Sequence, residues 1–410
     1  MKADCLETGL VAGDVAVRKP QAVAAAAHPF DTRDNAFDLI RLVAALAVIY
    51  GHAFYLVRPT PARDPIAVLF PFTYSGALAV DVFFLISGIF VTRSFVVSRN
   101  PLAFAAKRMA RIFPALALFG AVVAVLLALF ATRAPLDFLL SPLPWVYASN
   151  TAVLKITYKI PGVFEANTLA GVISGSLWTL LAEFRLYVLV LVMGLLGALT
   201  IPARHILILG VIIAFAANGK FFEFVGDARV APSVFMFLAG MASYVYRHTI
   251  PVTLLHVGTL LATTLMTSGE IHKLCFYAFV YALVIWLGCL RLPAALRIRN
   301  DYSYGIYLYA FPLQQIFALH LPDSGPYLNF ALSAVAAICC AIPSWHLVEK
   351  PWIHSVHGAV AGRWPERRQW LYLGIPVLCF AVALIGTQFG SPAREAAYLR
   401  AQQVAAPAAP

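Results

Sequence analysis

Long apolar runs separated by short polar or proline-bearing connections dominate the chain from about residue 36 onward. Eleven of them are each about long enough to cross ~30 Å of hydrocarbon as a helix. They cover roughly 36–57, 73–95, 112–131, 174–198, 203–218, 230–247, 251–267, 273–290, 302–320, 327–348 and 370–389. The pattern predicts an all-α polytopic integral membrane helix bundle of about 10–11 transmembrane helices. Residues 1–34 are Ala-rich, charged and aperiodic, and read as a disordered cytoplasmic tail. A cleaved signal peptide is not expected there, because Ala22 to Ala27 is a weak apolar core with charge close behind it. Residues 35–390 then form the membrane domain, and the Ala- and Pro-rich stretch 391–410 a second disordered tail. No internal repeat is visible, and the pattern leaves no room for an additional soluble enzymatic domain.

Composition agrees with the pattern. Of 410 residues, 61% are hydrophobic and 12% charged, with mean hydropathy +0.81, which excludes a soluble globular chain. The net charge of +11 follows membrane topology and calls for no nucleic acid. With a cytoplasmic N-terminus, 18 of the 30 Lys and Arg fall in inside segments and 10 outside, while Arg41 and Arg185 lie within helices. The six cysteines show no metal-ligand spacing and sit mostly in apolar runs, so neither a metal site nor a disulfide framework is expected.

Polar residues inside the runs carry the chemistry, because an ionisable side chain in hydrocarbon is costly and faces a protein interior or a watery path. Arg41 and His52 stand eleven residues apart in the first run. Eleven steps of ~100° return to nearly the same face, and ~1.5 Å per step separates them by roughly 16 Å. One reading makes His52 a general base for a hydroxyl and Arg41 the holder of a carboxylate or phosphate. The other makes them a snorkelling arginine and a core histidine satisfied by a neighbour. Asp81, inside Gly76 to Gly88, needs a partner: His52, which it would orient, or an arginine. Ser87 and Gly88 read as close-packing residues.

Arg108 and Arg111 share one helix face before Phe113-Pro114. They suit bidentate phosphate binding, and equally suit ordinary positive-inside topology. Glu183 and Arg185 are two apart and face different ways, so two separate partners are implied. Asp301 to Gln315 places four tyrosines, Tyr304 and Tyr307 among them, and Gln314 and Gln315 in one span. That is a polar aromatic wall, or an interfacial belt. Trp345 to Trp352 reads as the end of a span, with Pro351 closing the helix. The long connection from about 132 to 173 carries four prolines and several aromatic rings. It is either a lid over a cavity mouth, with rings that stack on sugars, or an aromatic belt.

In this order the segments resemble the acyltransferase-3 family of bacterial membrane O-acyltransferases, over about residues 36–353. The pieces that carry the resemblance are Arg41 through His52, Val80 to Gly88, Arg108 with Arg111, Trp178 with Glu183, the Tyr302-to-Pro312 run, and Val348-Glu349-Lys350-Pro351. The resemblance implies an inner-membrane, multi-pass enzyme with a cytoplasmic N-terminus. It takes an acyl group, usually acetyl from acetyl-CoA, on the cytoplasmic side and passes it to a hydroxyl of an envelope or exported carbohydrate, free or lipid-linked. The implied catalytic residues are His52, Arg41, Asp81 and Glu183. Arg108 and Arg111 meet the acyl-CoA, and Trp178, Tyr304, Tyr307 and Gln314 line the substrate path. Acyl-CoA is then the co-substrate, the carbohydrate acceptor and membrane lipid are the partners, and no metal takes part. One departure is Ala310, where many members carry a histidine before the proline of this span; the C-terminal esterase-like domain fused to some members is also missing. The competing expectation is a secondary transporter or flippase, whose intramembrane His, Asp, Glu and Arg serve a proton relay.

Overall fold

The structure is a computed structural model, and it describes residues 28–32, 34–98, 100–132, 134–217, 228–249 and 251–360. Residues 1–27 of the N-terminal tail, the eleventh run at 370–389 and the tail at 391–410 lie outside the described residues. The other ten runs are seen as helices: α1 (Phe37–Leu56), α2 (Ser75–Ser98), α3 (Pro101–Ala131), α4 (Trp178–Leu195), α5 (Pro202–Ala217), α6 (Ala231–Val245), α7 (Leu254–Met266), α8 (Gly269–Gly288), α9 (Ser303–His320) and α10 (Gly325–Ser344). A π-helical turn, Trp345–Glu349, leads from α10 into α11 (Lys350–Val360). Among the described residues there is no strand, only one isolated bridge between Lys159 and Val172. Among the described residues six helices, with α10 counted through Val360, are long and apolar enough to cross a membrane, and the fold is an all-α polytopic membrane bundle.

Two boundaries differ from the sequence expectation for physical reasons. The third run was expected to begin at 112, yet α3 starts at Pro101. Asn100 caps it, its side chain accepting from Ala103 N at 3.1 Å, and Pro101 fits the first turn where no N–H is needed. Lys107 and Arg108 are therefore helical and stand about one turn before Arg111. At the other end of the chain, Pro351 does not close a span. The π turn shifts the hydrogen bonding by one residue, Lys350 N reaching Trp345 O, and helix resumes through the proline to Val360. That detour turns Glu349 inward, where it is buried.

α2 is the hub. Its Gly88 lies so close to α6 that an added Cβ would come within 2.1 Å of Phe237 O, and Gly240 of α6 stands in the same relation to Leu85 O. Small residues let two backbones meet where lipid supplies no hydrophobic drive for association. A second close approach, Gly51 against Gly76, sets α1 on the start of α2 beside His52. Asp81, Leu85 and Gly88, at i, i+4 and i+7, thus belong to the α6 face of α2, while Val80, Phe83, Phe84 and Ser87 form another face. At the end of the bundle away from the basic residues, the connection before α4 folds onto α9. Asn167 Nδ2 donates to Gln315 O and Oε1 at 2.9 and 2.8 Å, and Gln315 Nε2 donates to Leu169 O and Val172 O at 2.9 and 2.7 Å. Tyr147 of that connection is buried against Ser174, whereas Trp145 and Tyr158 stay exposed.

Candidate active site

The cavity face of α2 closes a space with α1, α3, α4 and α9. An inner cavity of about 60 Å³ is lined by Val80, Phe83 and Phe84 of α2, Ile112 of α3, Thr179 and Leu180 of α4, and Tyr304 and Tyr307 of α9. A wider vestibule of about 220 Å³ adds Lys107 and Arg108 of α3 and His357 of α11. Arg41, Phe83, Arg111, Glu183 and Tyr187 line both, so the two spaces meet at those residues.

Charge at the junction is organised by Asp301, one step before the cap of α9. Its Oδ2 lies 2.7 Å from Arg41 Nη1 and 2.6 Å from Arg111 Nη2, and its Oδ1 accepts from Ser303 N at 3.2 Å and from the Ser303 hydroxyl. Burial opposes ionisation of this carboxyl, yet the two guanidiniums and Ser303 hold it down at about 2. Arg111 is further fixed by Glu349 Oε2 at 3.6 Å and lies between the rings of Tyr304 and Trp345, 5.3 and 5.5 Å from their centroids. The π turn is what delivers Glu349 to that position. Arg108 differs. Its Nε is buried with no hydrogen-bond partner, and its guanidinium sits 5.8 Å from the Tyr187 ring centroid. A buried donor left open is costly unless something arrives to use it.

Glu183 accepts from Ser87 Oγ at 2.9 Å and Tyr187 OH at 2.6 Å, so its partners are hydroxyls and one of them is Ser87, which serves as more than packing. At the inner end, the Tyr307 hydroxyl donates to Ser176 O at 2.6 Å and lies 2.5 Å from Thr179 Oγ1. One turn further along α9, Phe311 meets the His52 ring edge to face at 5.4 Å, and Tyr74 stands 6.5 Å from His52 on another side. His52 Nδ1 is buried and has no hydrogen-bond partner.

The structure thus brings Arg41, Arg111, Glu183, Tyr304 and Tyr307 together, puts Arg108 in the vestibule, and sets His52 just past the Tyr307 end. It places three expected residues elsewhere. Asp81 partners neither His52 nor an arginine: it accepts from Ser233 Oγ of α6 at 2.5 Å, because its side of α2 is the α6 face. Gln314 is buried as a clamp, with Nε2 donating to Ile49 O at 2.8 Å and Asn329 Oδ1 at 3.3 Å. Trp178 lies under Arg229, 5.2 Å from ring centroid to guanidinium carbon, beside the cavity residue Thr179. Sequence reasoning missed Asp301 as the organiser, although an acidic residue two before a serine at a helix start was a visible signal. It also missed His357 and Thr179, which no spacing rule marks.

The bundle holds a basic vestibule joined to an inner cavity, with the half-buried His52 one turn past Tyr307, and the chain belongs to the acyltransferase-3 family: residues 34–346 match its acyltransferase domain. It is a membrane O-acyltransferase. Among curated relatives, an O-acetyl transferase of Shigella phage Sf6 is 31% identical over 340 residues, covering 78% of this chain and 96% of that protein. Nodulation protein 10 of Rhizobium leguminosarum bv. viciae is 29% identical over 367 residues, covering 79% and 94%. No solved structure matches the chain.

Proposed function

We propose that this protein is an O-acetyltransferase of the bacterial inner membrane, with its basic end and N-terminus in the cytoplasm, that moves acetyl from acetyl-CoA to a hydroxyl of a carbohydrate acceptor, free or lipid-linked. The observation that carries the reading is the joined pair of cavities running from Lys107 and Arg108 to Tyr307, with His52 one helical turn beyond. The name of the phage relative supports acetyl as the group moved.

The donor's phosphates meet Lys107 and the open Nε of Arg108, because Arg111 and Arg41 are already neutralised by Asp301 and Glu349. The pantetheine arm passes Glu183 into the inner cavity; the ~16 Å from Arg41 to His52 is within its extended reach. His52 accepts the proton of the acceptor hydroxyl as its oxygen bonds to the acyl carbon. The C–S bond breaks, and the departing thiolate recovers that proton from the imidazolium. Asp81 and Gln314 act through packing.

Purified protein in proteoliposomes, given acetyl-labelled acetyl-CoA and a cell-envelope glycan extract, is expected to form labelled ester in the carbohydrate fraction. Arg108→Ala is expected to raise KM for acetyl-CoA about tenfold or more, with a smaller change in kcat, since a charge-assisted contact is worth ~1.5–3 kcal/mol. Uptake of label without ester formation, or an unchanged KM, contradicts the reading.

A further inference from the structure

One side of the inner cavity is fixed rather than soft. Tyr307 cannot swing aside without breaking its contacts with Ser176 O and Thr179 Oγ1. Phe83 of α2 braces the same ring edge to face, at 6.1 Å between centroids. Leu180, on the next position of α4, lines the same space. The space is small, about 60 Å³ against about 220 Å³ for the vestibule.

We propose that Phe83, Leu180 and Tyr307 form the gauge that sets acyl-chain length, limiting the donor to a two-carbon acyl group. The proposal rests on the acyl-CoA reading above and adds which residues decide among acyl donors. The vestibule cannot do so, because its ≈ 220 Å³ and basic lining face the carrier rather than the acyl end. Tight apolar pockets discriminate a single methylene by ~10–200-fold. Each added carbon beyond acetyl has to displace Phe83 or break the Tyr307 contacts, and lengthening the chain lowers transfer steeply. Truncating Phe83 or Leu180 opens the space on two different helices, and either change relaxes the limit. Phe90 lines only the vestibule, so truncating it leaves the chain-length preference as it was.

The test compares kcat/KM for acetyl-, propionyl- and butyryl-CoA in the wild type, Phe83→Ala, Leu180→Ala and Phe90→Ala, read as the butyryl-to-acetyl ratio within each protein. The wild-type ratio is expected below about 0.01. It is expected to rise at least tenfold in Phe83→Ala and Leu180→Ala and to stay within twofold in Phe90→Ala. Should an enlarged variant lose turnover, displacement of labelled acetyl-CoA by unlabelled butyryl-CoA reads the same preference in the detergent-purified protein. A wild type that uses butyryl-CoA as well as acetyl-CoA, or ratios that do not move in either enlarged variant by either measurement, overturns the gauge and leaves the donor assignment standing. A wild type that transfers from none of the three thioesters overturns the donor assignment itself.

Discussion

Replacing His52 with Ala is expected to lower acyl transfer by about 10²–10⁴-fold in kcat while insertion, yield and thermal unfolding stay close to the wild type. The ring stands one helical turn past Tyr307, in contact with the rings of Phe311 and Tyr74, with a buried Nδ1 that bonds to nothing. Losing it deprives the fold of no hydrogen bond. A structural histidine would behave in the opposite way, with its loss lowering stability and leaving turnover per folded molecule intact. His52→Gln, which keeps a polar side chain without the basic nitrogen, is expected to fail equally in turnover. Turnover in His52→Ala like that of the wild type would end the general-base assignment.

The second large effect belongs to Asp301. Asp301→Asn keeps an acceptor oxygen but leaves two guanidiniums facing each other without their shared charge. Removing one partner of a buried ion pair is strongly destabilising, and displacement of Arg41 and Arg111 from the cavity junction is expected to reduce transfer by about 10²-fold. The pH dependence has a definite sign. The folded carboxyl, held at about 2, lies below its usual 3.8. Its contribution, about 2–3 kcal/mol at ~1.4 kcal/mol per pH unit, is therefore complete above about pH 5. It is lost as pH falls through 4 toward 2. Thermal unfolding in detergent is expected to show a wild-type minus Asp301→Asn difference that is flat from pH 5 to 8 and shrinks below pH 4. A difference that instead changes between pH 6 and 8 contradicts this account of the cluster.

Much of the architecture could be read from the chain because each apolar run is long, and most are bounded by charge or proline. α1 and α9 came out within one residue of the expected 36–57 and 302–320. The Arg41 reading held in one respect: that guanidinium does hold a carboxylate. Orientation was the illegible part. In a soluble helix a polar face says which side is outward, but lipid and protein core are equally apolar, so nothing in α2 distinguished the Asp81–Leu85–Gly88 face from the Val80–Phe83–Ser87 face. Asp81 was assigned toward the chemistry for that reason, and Ser87 toward packing. Asp301 was overlooked because its partners, Arg41 and Arg111, lie far away in the chain and are joined to it only by the fold. The end of α10 was misjudged because a π turn, with Lys350 N reaching Trp345 O, carries the helix on into the proline.

The most direct test of the whole account is a cryo-electron microscopy structure of the protein in lipid nanodiscs with a non-hydrolysable thioether analogue of acetyl-CoA. The account predicts phosphate density against Lys107 and Arg108, the arm running between Arg41 and Glu183, and the acyl end against Tyr307 on the side facing His52. Density for the analogue in the separate 260 Å³ cavity beside Arg247 and Tyr281, with the Arg108 vestibule empty, would contradict it.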